Sequence, residues 1–180
     1  MRTKNIVFIA KSLDGYIAGK NGELDWLHAI PNPENVKMGF EDLMEEIDAI
    51  VMGRNTFDMV CSFEGEWLYS KHVFVLSNTL TEVPEKFREK ASILNGSLEE
   101  ILNYIHQRGF QTLYIDGGIT IQNFLKEDLI AELRITTLPV LLGDGIPLFS
   151  ILPKSLEFSH VKTEVFLNQL VQSHYKRKKD

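Results

Sequence analysis

The chain is poor in cysteine, in positive charge and in long apolar runs. Its single cysteine, Cys61, leaves no internal disulfide and no cysteine metal cluster, which fits a reducing cytoplasm. The five histidines, His28, His72, His106, His160 and His174, have no short metal-ligand spacing, so neither a structural nor a catalytic zinc is expected. Nineteen basic against twenty-five acidic residues give a net charge of −6, which repels polyanions at long range and argues against a generic nucleic-acid or anionic-membrane binder. The basic tail HYKRKKD is the local exception and reads as a solvated terminus. No apolar run approaches a membrane span. The early stretch in MRTKNIVFIAKSLDG is interrupted by Lys11 and Asp14 and reads as a first strand rather than a leader.

What is present is the composition of an ordinary globular protein, with 44% hydrophobic and 24% charged residues. The 180 residues suit one domain with one substantial core, spanning 1–180. Apolar runs at 5–10, 49–53, 72–77 and 112–116, with a shorter one at 91–95, alternate with helical patterns at 40–47 and 97–107. That alternation predicts an α/β fold with helices on both faces of a mostly parallel sheet. Ser97, followed by Glu99 and Glu100, marks a helix start, and Ile101, Leu102 and Ile105 form its buried stripe. Beyond residue 130 the grammar changes. Segments 131–142, 156–167 and 170–177 are strand-like with little helix between them, which predicts an antiparallel C-terminal edge folded back by a hairpin. The stretch 29–37, with two prolines, is a loop beside the site or a plain connector.

Function is concentrated where strands end. In YIDGGITIQNFL, Gly117 and Gly118 follow a buried strand and precede apolar residues at helical spacing. Glycine permits close approach, and the first N–H groups of a helix are unpaired donors at the positive end of its dipole, so such a junction can hold a phosphate. The alternative is a connection in which the glycines only turn the chain. AIVMGRNTFDMV carries a second strand into Gly53, Arg54, Asn55 and Thr56, where a guanidinium fork and a hydroxyl sit beside a helix start. VFVLSNT ends a third strand at Leu76, Ser77 and Asn78. In an open α/β sheet this edge is where ligands bind.

SLDGYIA, DWL, DAIVMGRNTF, VLSN, YIDGG and ELRITTLPVLLGDGIPLF, in this order and spacing, resemble the dihydrofolate reductase-like superfamily over nearly the whole chain. The nearest branch is the C-terminal reductase domain of riboflavin biosynthesis. The resemblance implies a three-layer α/β/α fold and an NADPH-dependent reductase that passes a hydride to a C=N or C=O group of a small heterocycle, of the phosphoribosylaminouracil reductase type. By position it places Ala10 and Ile17 at the nicotinamide and Arg54, Asn55 and Thr56 at the adenosine phosphates, where Gly53 would let the backbone approach the anion. Leu76, Ser77 and Asn78 would flank the adenine, and Gly117 and Gly118 would face the diphosphate, with Thr120 and Ile121 of the cofactor site at the helix start. It implies a cis bond between the two glycines and a homodimer paired through the C-terminal strands. Asp25 is a candidate proton donor, or merely a cap of the next turn, and Trp26 and Phe40 are candidates for the substrate cleft or plain core.

The departures narrow the substrate. The pterin-binding carboxylate of dihydrofolate reductases has no counterpart around Lys37 to Gly39. Phe8 stands where the riboflavin-pathway enzyme usually has lysine, and FDMVCSFEGEW is acidic and apolar where that enzyme is basic. Thr120 stands where folate reductases use a base to select NADPH, leaving that selection to Arg54. A paralogue with a different or smaller substrate is expected. The alternatives are a nucleotide-binding protein without turnover, a pterin reductase, and a purely structural dimerisation protein.

Overall fold

The computed structural model describes residues 3–178. Fourteen strands and α-helices follow one another among them: β1 (Lys4–Lys11), β2 (Tyr16–Ala18), α1 (Phe40–Glu46), β3 (Ala49–Gly53), α2 (Arg54–Ser62), β4 (His72–Leu76), β5 (Ala91–Leu94), α3 (Leu98–Gln107), β6 (Thr112–Asp116), α4 (Gly118–Lys126), β7 (Glu132–Thr137), β8 (Ile146–Pro147), β9 (Phe158–Phe166) and β10 (Leu170–Arg177). Eight of the strands form one sheet in the order β5-β4-β3-β6-β1-β7-β10-β9. The first six run parallel; β10 is antiparallel to β7, and β9 antiparallel to β10. The mixed sheet with an antiparallel C-terminal edge is therefore as expected.

Alternation along the strands separates two cores. Val7, Val51, Ile115 and Leu133 face α3 and α4, against Ile105, Ile121 and Phe124. Ile6, Ile50, Met52 and Tyr114 face α1 and α2, against Leu43, Phe57 and Val60. Central parallel strands are apolar on both faces because helices cover both. No helix among the described residues is long and apolar enough to cross a membrane.

Two expectations need correction. The strand expected over 131–142 ends at Thr137. Pro139 has no N–H for a ladder, and the Asp14 carboxylate draws the following turn away, accepting from the N–H groups of Leu142 at 3.2 Å and Gly143 at 2.8 Å. The basic tail is no solvated terminus through residue 177, because residues 170–177 form β10 between two partner strands. Arg177 donates to both carboxylate oxygens of Asp128, at 2.7 and 3.0 Å. His174 lies 2.9 Å from the buried Glu132, which also pairs with Lys4 at 2.7 Å and Arg134 at 3.0 Å. Burial opposes ionisation of Glu132, but hydrogen bonds from Lys4 and Arg134 outweigh it and bring its pKa down to about 2. Residues 179 and 180 of that tail lie outside the described residues.

Candidate active site

A cleft of about 700 Å³ opens over the C-terminal ends of the central parallel strands. Its floor is set by two strand-to-helix junctions. β3 passes directly into α2 at Gly53–Arg54, and β6 passes into α4 through Gly117. Neither helix has a side-chain cap, and neither carries an acid in its first turn. Residues 53–56 and 117–120 all line the cleft, so both sets of unpaired N–H groups, with the positive ends of both dipoles, border the same space.

The diglycine has two reasons of its own. Gly117 holds φ at +87°, a left-handed conformation, and a Cβ there would collide with the Thr56 hydroxyl. A Cβ on Gly118 would lie 2.8 Å from the Ile17 side chain. Backbone conformation and the approach of Thr56 thus already require glycine at 117, whereas at 118 only the flexible tip of Ile17 would have to shift. The bond between them is trans, since no cis peptide occurs among the described residues; the turn is made by the positive φ of Gly117 instead.

Ala10, Ile17, Gly53, Arg54, Asn55 and Thr56 meet at this cleft, together with Leu76, Ser77, Asn78, Gly117, Gly118 and Thr120. Ile121 does not reach it. Its side chain is fully buried in the core, and its N–H donates to the Gly117 carbonyl at 2.9 Å. Arg54 is half-exposed at the rim, where Nε donates to Asp58 at 3.2 Å and Nη1 to the Thr79 hydroxyl at 2.9 Å. The guanidinium is therefore aimed toward the β4 end, where the Ser77 hydroxyl accepts from the N–H groups of Thr79 and Leu80.

Asp25, Trp26 and Phe40 lie off the cleft lining. Asp25 is exposed at the start of a one-turn 3-10 helix whose N-cap is Leu24, and it caps nothing there. Trp26 is partly buried, with its indole N–H lacking a partner. Phe40 packs instead between Phe8 and Tyr69, with ring centroids at 6.1 and 6.4 Å.

The acid that does line the cleft is Asp116, the last residue of β6. Its Oδ1 accepts from the Gly117 N–H at 2.8 Å, and Tyr69, also in the lining, donates to Oδ2 at 3.4 Å. The Tyr114 hydroxyl is close to this carboxyl and donates to the Phe8 carbonyl at 3.0 Å. Burial raises the Asp116 pKa above the ordinary carboxylate value, while these donors pull the other way. Burial, then the Asp116 charge, pushes the Tyr69 phenol far up, so Tyr69 remains a hydrogen-bond donor. Sequence reasoning passed over Asp116 although it stands in the quoted turn. Its signal was a carboxylate closing an apolar strand just before a glycine junction.

Residues 3–172 match the RibD C-terminal domain family. The chain belongs to this family. A Shewanella sp. PV-4 protein whose name refers to riboflavin biosynthesis is 59% identical, with a TM-score of 0.95 over 98% of this chain and 99% of that one. A diaminohydroxyphosphoribosylaminopyrimidine deaminase/5-amino-6-(5-phosphoribosylamino)uracil reductase from Thermotoga maritima superposes at a TM-score of 0.74 with 18% identity, over 98% of this chain and 57% of that one. The dihydrofolate reductase of Enterococcus faecalis, solved with NADP(H), superposes at 0.66 with 19% identity over 98% and 97%. The last two likenesses establish the fold, which is that of dihydrofolate reductase.

Proposed function

We propose that this protein is an NADPH-dependent reductase of the pyrimidine reductase kind, acting on a C=N or C=O group of a small heterocycle. The observation that carries this reading is the pair of uncapped helix starts, α2 and α4, facing one cleft beside Arg54. The donor set fits a dinucleotide: two groups of backbone N–H for the diphosphate, a guanidinium for a phosphate monoester, and a polar strand end at Ser77 and Asn78 for the adenosine. Bound there, NADPH supplies the hydride.

The chain's own residues do the rest. Gly117 and Gly118 keep the α4 junction open, and Thr56 offers its hydroxyl beside it. Ala10 and Ile17 give the nicotinamide an apolar border that excludes water. Asp116, held by Gly117 N–H and Tyr69, is the proton donor to the substrate heteroatom, in place of Asp25. A raised pKa suits this task, because the acid form persists to higher pH than that of an exposed aspartate. The protein works as a homodimer in a reducing cytoplasm, which sedimentation and cell fractionation check directly.

Titration with NADPH and NADH, followed by nicotinamide fluorescence, tests the reading. NADPH binds more tightly than NADH, and Arg54→Ala weakens NADPH by about 10–100-fold, as expected for a charge-assisted contact of roughly 1.5–3 kcal/mol. Absence of binding by either dinucleotide would sink the proposal. The pH profile tests the acid. The folded pKa of Asp116 is raised above its ordinary 3.8, so the acid form is retained at low pH and lost as pH rises through the raised value. The rate constant kcat falls along that alkaline limb, and Asp116→Asn removes the limb and costs about a hundredfold or more.

A further inference from the structure

The cleft has two chemically different ends. Arg54 opens α2, whereas Met59 lies further along the helix and Phe63 just beyond it, roughly 8 and 14 Å away at the rise of an α-helix. Leu68 follows on the next segment, and Leu24 and Leu27 are further apolar residues of the lining, whereas Ile146 lies beside Ile17 and Gly118. Phe63 and Leu68 are about half exposed, at 50% and 51%, so they present large apolar surfaces to the cleft rather than to the core. Surface of this kind invites an apolar ligand.

Charge points the same way. Among the described residues lining the cleft, Arg54 and Asp116 are the ones with charged side chains, and Arg54 stands at the opposite end. Residues 55–70 contain no lysine, arginine or histidine but do contain Asp58, Glu64 and Glu66. Glu64 and Glu66 are exposed on either side of Gly65, next to Phe63. Asp58 is taken up by Arg54, and Lys71, Lys86 and Lys90 line a neighbouring hollow shared with Glu66 and Tyr69. A phosphate brought to this end of the cleft would therefore meet no cation among the residues that line it.

We propose that the substrate end of the cleft takes an uncharged, non-phosphorylated planar ring compound, with its apolar body against Met59, Phe63 and Leu68 and its polar edge on the Asp116 carboxyl. The proposal rests on the reductase reading for its chemistry, but its binding chemistry stands by itself. It separates this protein from a reductase of sugar phosphates by the ligand's charge.

Calorimetric titration decides it, with phenylquinoxaline as the neutral bicyclic probe and a ribosylaminopyrimidine phosphate as the charged one, each with and without saturating NADPH. The neutral probe is expected to bind at least about tenfold more tightly. Leu68→Arg and Phe63→Arg, at half-exposed positions the fold tolerates, reverse or abolish that preference and leave NADPH affinity within about twofold. Thermal melting confirms that both variants are folded. Tighter binding of the phosphate, failure of the neutral probe to bind, or an unchanged preference in both variants would overturn the proposal. Binding of phenylquinoxaline without any binding of NADPH would uphold it while removing the dinucleotide reading, so the two failures are distinct.

Discussion

The four α-helices among the described residues begin in two ways. α3 starts with a complete capping box: the Ser97 hydroxyl accepts from the Glu100 N–H, and the Glu100 carboxylate accepts from the Ser97 N–H at 2.9 Å. It adds Glu99 in the same turn, and α1 likewise places Glu41 and Asp42 in its first turn. α2 and α4 have no cap and no acid. With glycine at the N-cap of each, the missing side-chain cap costs about a few tenths of a kcal/mol and the missing acid about 0.3–1 kcal/mol more. The two helices that forgo both are the two whose first turns line the cleft. Helix starts away from the cleft are completed locally, whereas those at the cleft are left open, which is the arrangement that the proposed dinucleotide site requires.

The largest expected break comes at the junction itself. Gly117→Ala puts a side chain at a φ of +87° and into the Thr56 hydroxyl. Urea denaturation should show a loss of about 2–4 kcal/mol, and NADPH affinity should fall by more than about a hundredfold because the N–H cradle no longer closes. A smaller change makes an open start resemble a closed one. Ile119 is exposed in the first turn of α4, so Ile119→Glu should raise stability by about 0.5 kcal/mol through the helix dipole and weaken NADPH about tenfold through repulsion. Opposite signs in the melting and fluorescence experiments are the diagnostic outcome. The smallest effect on the ligand comes from opening a closed start. Ser97→Ala should cost about 1 kcal/mol of stability and leave the NADPH dissociation constant within about twofold.

The elements were largely legible from local pattern. The strands at 49–53, 112–116 and 170–177 have the boundaries their apolar runs suggested, since Gly53, Asp116 and the turn before Leu170 end or begin them. Ser97 announced its helix because a cap acts over three residues. The overrun past Thr137 arose where the local apolar pattern continued but Pro139 and the distant Asp14 ended the ladder. The tail was misjudged for a similar reason. Its cations look solvated in sequence, and only the sheet order brings Asp128 and Glu132 beside Arg177 and His174.

The site divides along the same line. Donors tied to a strand end, from Gly53 to Thr56 and from Leu76 to Asn78, could be named because strand, junction and helix start are contiguous in the chain. Asp25, Trp26 and Phe40 suggest themselves only by residue type near a loop, yet a loop's path is set by tertiary packing, and it leaves them off the cleft. Tyr69 enters the lining only because the segment after α2 folds back to the end of β6, where its hydroxyl reaches Asp116.

The sequence by itself determined the alternation of strands and helices, the open junctions and their shared edge, because propensity, glycine freedom and helix-end chemistry act over a few residues. Only the tertiary structure decided that Asp116 rather than Asp25 faces the cleft, and that its carboxyl favours the protonated form to higher pH. Burial, and the charge it penalises, are properties of what surrounds a residue in space.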